Sequence, residues 1–592
     1  MNPITWDLSD LYSGMNDPKI AETLDNQIRK AEDFGARFRD KIDTPELTAE
    51  LLLSAIVEYE EILQESDKPL NYASLLFAAD TSDPERGAFM QKMQERTTNV
   101  SVRLLFFELD IMGIPDAKLT ELLKRPTLAK YHHFIWATRL LRDYRLSEPE
   151  EKVLEEKANT GRRAFVRLFE ETISNISFSL ERDGKIETFT PPEILALLRD
   201  PNRDIRKKAA ASLTEGLVSN GRTLTFIFNT LLQDKATDDR LRDHAYAEES
   251  RHLSNQLDRE TVELVVRTAT DNYPLVARYY NLKREILGYD KLTHYDRYAP
   301  LFETREQVPF EHGKEIVLSA FGKFSPTIGE IAGKFFENRW IDAEVRNGKQ
   351  GGAFCSYVTA DLHPYVFLSY LNRMEDVMTL GHELGHGVHA YIARPHGYLN
   401  FSSVLPLAEL ASTFGEMLVF ESLQAESSRA SKLALYAEKI EGMFATIFRQ
   451  SAMFRFEQGI HAHRRQNGEL TTEEYGAIWQ EVQQEMFGNS VELGEEHRFW
   501  WMYISHFIGA PFYVYAYTFG ELLVLALYAM YKKEGEAFVP RYIELLKVGG
   551  SMSPADTLGQ VGIDIHDPNF WQGGMTVLAG FIDRFEELYK AG

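Results

Sequence analysis

Apolar residues recur with a helical period over most of this 592-residue chain, and the recurrences open on helix-starting chemistry. The fold within its reach is therefore mainly α. "PELTAELLLSAIVEYEEILQE" predicts a helix from Pro45 with Thr44 as N-cap, and "SEPEEKVLEEKANTGRRAFVRLFEETI" one opened by a capping box from Ser147 to Glu150. "ISFSLERDGKIETF" alternates around Asp183 and Gly184, a dipeptide that favours a tight hairpin. Thr190 and Glu193 then box the helix of "TPPEILALL". A boundary near the hairpin gives an N-terminal helical region, 1–190, and a larger region, 191–592. No repeat or linker-like tract intervenes, so the two are expected to pack closely.

Hydrophobic residues make up 44% and charged residues 26%, the balance of a globular protein able to bury a core. A net charge of -24 opposes nucleic acid and anionic membranes, which are themselves negative. Cys355 stands alone, excluding an intrachain disulfide, and is expected to act as a small buried hydrophobe. "MNPITWDLSDLY" lacks a basic segment followed by an apolar one, and the longest apolar run, Leu522 to Met530, is too short to cross a bilayer. The expectation is a cytoplasmic protein with neither nucleic-acid nor membrane partner. Oligomeric state leaves no signature.

The chemistry concentrates in "NRMEDVMTLGHELGHGVHAYI", where Asn372 and Glu375 form a capping box and predict a helix from about Arg373. At about 100° per residue, His386 lies about 40° and His389 about 20° from His382, with Val377, Leu380, Leu384 and Val388 opposite. Two imidazoles four residues apart converge on one point and suit a metal ion. Glycines at 381, 385 and 387 weaken a helix and call for a compensating use, such as close approach of a neighbouring element. A catalytic zinc needs a third ligand and an open position for water. "LPLAELASTFGEMLVFES" predicts a helix on which Glu409 and Glu416 share a face, so Glu409 is the expected third ligand and Glu416 the carboxylate that orients a histidine. His389 is expected to support the site by hydrogen bonding. His461 and His463 in "HAHRR" point apart and are expected on a solvated surface. Before the histidine helix, "GGAFCSYVTADLHPYVFLSY" reads as two short strands, either a small structural hairpin or an edge for an extended substrate backbone.

His382-Glu383-x-x-His386 with "AELASTFGE" downstream resembles the M3 family of zinc peptidases, in its oligoendopeptidase F branch. "WDLSDLY", "RNGKQGGAFCS", "HPYVFLSY" and "HFIGAPFYVYAYTFGELL" extend the likeness over nearly the whole chain. The resemblance implies a large helical, two-lobed zincin-type fold with a deep substrate channel, a small sheet beside the active-site helix, and cleavage of short peptides. One zinc ion held by His382, His386 and Glu409 would acidify its water, with Glu383 taking the proton during attack on the carbonyl. From "SHFIGAPFYVYAYTFG" the resemblance brings His506 and Tyr517, then Tyr513, to the developing negative charge. Gly381 and Leu410-Ala411-Ser412 depart from the usual family pattern without removing a ligand. Cobalt and manganese suit similar donors. An exopeptidase gripping a free terminus, and a peptide-binding protein without catalysis, are the competing readings.

Overall fold

The computed structural model describes residues 4–182, 184–302 and 306–591. It is about 70% helical with few strands, as the periodicity predicts. The chain gathers into two compact units: 1–145, 306–426 and 530–564 form the first, and 146–305, 427–529 and 565–592 the second. The changeovers do not coincide with residue 190, which falls inside a segment of the second unit.

In the first unit the helices Pro18–Phe38, Ala49–Ala79 and Pro84–Gly113 pack on one another. Phe34, Phe38, Tyr59, Phe106 and Phe107 fill the space between them, with ring centroids 4.8 to 6.3 Å apart. The second helix starts later than expected. Thr48, not Thr44, is its N-cap, and its hydroxyl accepts from the Leu51 N–H at 3.2 Å.

A three-stranded sheet lies beside the histidine helix: Tyr365–Phe367 is central, parallel to Ile341–Asp342 and antiparallel to Phe354–Ser356. Buried Asp342 anchors the loop that follows it, accepting from Lys349 at 2.6 Å and from Arg346 at 2.8 and 2.9 Å. The N-terminus ties into this region. Ala343 N–H donates to the Ile4 carbonyl at 2.8 Å, Trp6 packs on Phe367 at 5.3 Å, and His363 meets Asp10 at 2.9 Å.

The second unit is built on the 39-residue helix Arg429–Asn467, packed by Gly221–Leu241, Arg259–Asp271, Thr472–Phe487 and Pro568–Lys590. The expected long helix after Ser147 breaks at Gly161 into Glu148–Ala158 and Arg162–Ser174. Glu150 still boxes its start, accepting from the Ser147 N–H at 2.9 Å. The hairpin pairs Phe178–Arg182 with Lys185–Phe189, and Gly184 takes φ +77° in its turn. Asp183 lies outside the described residues. Thr190 and Glu193 form the predicted capping box. No helix among the described residues is long and apolar enough to cross a membrane.

Candidate active site

The histidine helix spans Met374–Ala393. Its cap sits one residue later than predicted: Asn372 adopts φ +64°, and Asp376 accepts from the Arg373 and Leu371 N–H groups, each at 2.8 Å. Val377, Leu380, Leu384 and Val388 are buried, which leaves His382 and His386 half-buried on the opposite side. One face packs and the other presents donors.

The predicted helix through Glu409 and Glu416 is broken. Leu405–Ala408 ends at Glu409, and a new helix runs from Ser412 to Glu426. Close packing explains the break. A Cβ on Gly385 would stand 2.4 Å from the Ala411 carbonyl oxygen and 2.6 Å from Ser412 Cα, so only glycine lets the two backbones meet there. At Gly381 the added Cβ would meet the Val419 side chain at 2.7 Å. The buried Tyr542 hydroxyl donates to the Leu410 carbonyl at 2.9 Å, and its ring stacks on Phe414 at 4.4 Å. Ser412 Oγ donates to Glu409 Oε2 at 2.6 Å, fixing the carboxylate.

These restraints bring His382, His386 and Glu409 together, with one donor atom from each within 4.8 Å of the others. His382 Nε2 and His386 Nε2 lie 3.3 and 3.4 Å from Glu409 Oε2. Both separations exceed the usual 2.7–3.2 Å of an N–H···O bond. They match the edge of a tetrahedron, about 3.3 to 3.4 Å, around an ion with ~2.0–2.1 Å bonds to nitrogen and oxygen. The donor set therefore fits a zinc-like ion with one position left for a further ligand. On its other nitrogen, His382 Nδ1 stands 3.3 Å from Glu416 Oε2, so the two acids that share a face in sequence bracket one imidazole.

The electrostatics follow from these contacts. Burial opposes charge on His382, but Glu409 and Glu416 outweigh it and hold its pKa well above the ordinary value. Burial likewise opposes charge on Glu409, and His382 and His386 outweigh it, keeping this carboxylate well below its usual range. Glu383, beside the first histidine, is 6% exposed, and its Oε2 makes no hydrogen bond to protein. Burial pushes its pKa up against the pull of the two imidazoles. His389 is buried with Nδ1 unbonded, and burial lowers its pKa to about 4, so it is neutral at pH 7.

Sequence reading missed Ser412, Tyr542 and Tyr357. Tyr357 is half-buried just after the edge strand, and burial, with the charges of Glu409 and Glu383, raises its phenol pKa. Its position directly after "GAFCS" was the available signal. Cys355 is half-buried, and burial with the nearby Glu383 charge holds its thiol protonated. Phe354–Ser356 pairs on one side with Tyr365–Phe367 and has no strand on the other among the described residues.

His506, Tyr513 and Tyr517 lie together in the second unit. His506 Nε2 is 3.4 Å from the Tyr517 hydroxyl, and Tyr513 packs edge-on to Tyr517 at 4.8 Å. Burial, assisted by the Arg449 charge, depresses the His506 pKa. The turn between them takes Phe512 to φ +59°, and its N–H donates to buried Glu457 at 2.7 Å. His461 is a correction. It is buried, 2% exposed, and burial lowers its pKa to about 3, because Arg429–Asn467 is covered on several sides.

The model of peptidase family M3 matches residues 196–577, and that described as oligopeptidase F matches residues 110–178. Oligopeptidase PepF of Bacillus subtilis is 28% identical over 596 residues, covering 99% of this chain and 87% of that protein. An oligoendopeptidase F homolog of Borreliella burgdorferi is 26% identical, covering 95% and 94%. The solved oligoendopeptidase-F of Enterococcus faecium superimposes with a TM-score of 0.73 at 22% identity, over 97% of this chain and 98% of that one. A solved structure from Chlamydophila abortus reaches 0.85 at 22% identity, over 99% and 98%. The last two show a shared fold. With its family model matched across well over half of its length, this chain belongs to peptidase family M3.

Proposed function

We propose that the chain is a zinc-dependent endopeptidase that hydrolyses internal bonds of short oligopeptides, with His382, His386 and Glu409 holding one zinc ion. The observation that carries this reading is the tetrahedral spacing of those donors beside a buried carboxylate, Glu383, whose Oε2 has no protein partner. Membership of family M3 and the names of the relatives point the same way. A bound zinc ion would supply the Lewis acid that polarises the scissile carbonyl and acidifies water.

The chain's own residues supply the rest. Glu416 accepts from His382 Nδ1–H, which fixes the tautomer and leaves Nε2 as the nitrogen that would hold the ion. Glu383 receives the proton of the attacking water and passes it to the departing amine nitrogen. His506 and Tyr517, and next Tyr513, are the residues we assign as donors to the oxygen on which negative charge develops. Neutral His506 serves as a donor through one ring N–H. The unpaired edge of Phe354–Ser356 receives the substrate backbone as an added strand.

The test is cleavage mapping by mass spectrometry on a ~10-residue peptide blocked at both ends, a length chosen to fit an extended bound strand. The zinc-loaded chain should cut internally, and Glu383→Gln should keep its zinc and lose roughly 10² to 10⁴ in rate. Cuts that need an unblocked end would move the reading to an exopeptidase. Turnover retained in Glu383→Gln would remove the role given to that residue.

A further inference from the structure

Arg297 and Arg449 are not used by the mechanism above. Arg297 is 4% exposed and Arg449 is half-buried, and neither forms an ion pair with any described carboxylate. The acids close to them in the fold are already engaged. Asp296 pairs with Arg203 at 2.7 Å and Arg206 at 3.0 Å. Glu441, which borders a small adjoining cavity with both arginines, accepts from Lys283 at 2.6 Å and Tyr279 at 2.7 Å. A guanidinium withdrawn from water without a counter-charge is costly, so two in one place call for an anion.

Both arginines line a cavity of about 290 Å³ with Gln450, Trp479, Gln483 and His506. Four of the residues around it carry a buried donor that has no protein partner: Arg297 Nε, Arg449 Nε, Trp479 Nε1 and Gln483 Nε2. Gln483 is fully buried and its Oε1 is unpartnered too, as is Gln450 Oε1. Leaving six such atoms unpaired in one place is unusual for a folded interior. Arg297 is held by cation–π contacts to Tyr298 at 4.6 Å and Trp500 at 5.3 Å, and Arg449 by a 2.9 Å bond to the Tyr298 hydroxyl. The two charges are therefore fixed in place. Their field is strong: burial would raise the Tyr298 phenol, yet Arg297, Arg449 and Arg199 bring it down to about 8.

The geometry points to a subsite for a carboxylate of the peptide substrate, held by Arg297 and Arg449 in the cavity that His506 borders. This rests on the peptidase reading, in which His506 is assigned to the developing oxyanion. The volume suits a small organic acid, and two guanidiniums suit the two oxygens of a carboxylate. An aspartate or glutamate side chain and a free C-terminus share that chemistry.

Binding separates this inference from catalysis. Zinc-loaded Glu383→Gln protein would be titrated calorimetrically with end-blocked peptides that differ only by glutamate or glutamine at successive positions. A parallel pair would end in a free acid or an amide. The carboxylate member of one pair should bind about 10- to 100-fold tighter, the scale of a charge-assisted contact. Adding Arg449→Gln should abolish that difference while leaving the neutral peptide within about twofold, and Arg297→Gln provides the same check if the first variant folds poorly. Discrimination at an internal position identifies a side-chain subsite, and discrimination only in the terminal pair identifies a grip on the C-terminus. Equal affinities in every pair, or an equal loss for acid and amide in the arginine variants, would overturn the subsite. Failure of the wild-type chain to cut any of these peptides would instead overturn the peptidase reading, and the two failures are read in separate experiments.

Discussion

At the residue scale, His382 has both ring nitrogens engaged, with Glu409 on Nε2 and Glu416 on Nδ1 at 3.3 Å each. A histidine tied down on one nitrogen presents the other in a fixed direction, which is how an outer carboxylate strengthens a metal site it never touches. Glu416→Gln still fills the space but no longer carries the charge. Zinc affinity, measured by competition with a chelating dye, is expected to fall roughly 10- to 100-fold, with activity largely recovered at saturating zinc. An unchanged affinity would show that Glu416 has no part in holding the ion. The pairing of these acids was readable from their seven-residue spacing, and the convergence of His382 and His386 from theirs. Ser412 and Tyr542 were not readable, because a hydroxyl that fixes a carboxylate through a helix break, or a tyrosine that caps one carbonyl from a distant segment, has no local pattern.

At the scale of elements, the meeting of the histidine helix with the start of Ser412–Glu426 depends on the missing side chain at residue 385. Gly385→Ala sets a methyl group against backbone, which cannot rotate away. The expected cost is about 1–3 kcal/mol of stability, the scale of overpacking, together with weaker zinc binding as the Glu409 segment is pushed back. Gly381→Ala meets only the Val419 side chain, which can turn aside, and should cost less in both measurements. The reverse order in thermal melts would refute this account of the break. Three glycines in one helix signalled a close approach, but the helix break itself was hidden, since "LPLAELAS" carries no breaker after its proline. His461 was misread for a related reason: angular position on one helix says nothing of how many neighbours cover it.

Glu457 is a second element-scale device, accepting from the Phe512 N–H in the turn that brings Tyr513 and Tyr517 beside His506. It is fully buried, and burial raises its pKa from 4.5 to about 8, partly opposed by that bond and by Arg251. A raised folded pKa means that the unfolded chain releases this proton first. The folded state therefore loses stability as pH rises from about 4.5 to about 8, and no more from this group beyond that. Glu457→Gln keeps the acceptor and removes the titration. Its melting temperature should drop less than that of the wild-type chain between pH 5 and pH 8, a difference on the order of a few kcal/mol at most in free energy. Parallel curves for the two proteins would rule out a buried titrating acid here.

At the scale of the whole molecule, local signals and assembly part company. Helical period, capping boxes and the hairpin could each be read from a dozen or so neighbouring residues. The grouping of 1–145 with 306–426 and 530–564 depends on pairings such as Ala343 N–H with the Ile4 carbonyl, Trp6 with Phe367, and Lys68 with Asp361 at 2.6 Å. Pairings between positions so far apart leave no periodic trace in the chain. They also make a cut at the boundary read from sequence damaging. The fragment 191–592 keeps His382, His386, Glu409 and Glu383 but loses the strut of residues 4–12 along the sheet, the core helices Pro18–Phe38 to Pro84–Gly113, and the bidentate pairing of Arg242 with Glu151 at 2.7 and 2.9 Å. Buried apolar surface at Trp6 and Phe367 supports cooperative unfolding only while both are present. Purified alone, 191–592 is expected to melt without a sharp transition and to release zinc far more readily than the full chain, and fragment 1–190 supplied in trans should restore at least part of both properties. A sharp melt of 191–592 within a few degrees of the full chain would mean that the linear boundary marks an independent folding unit and that the long-range pairings add little.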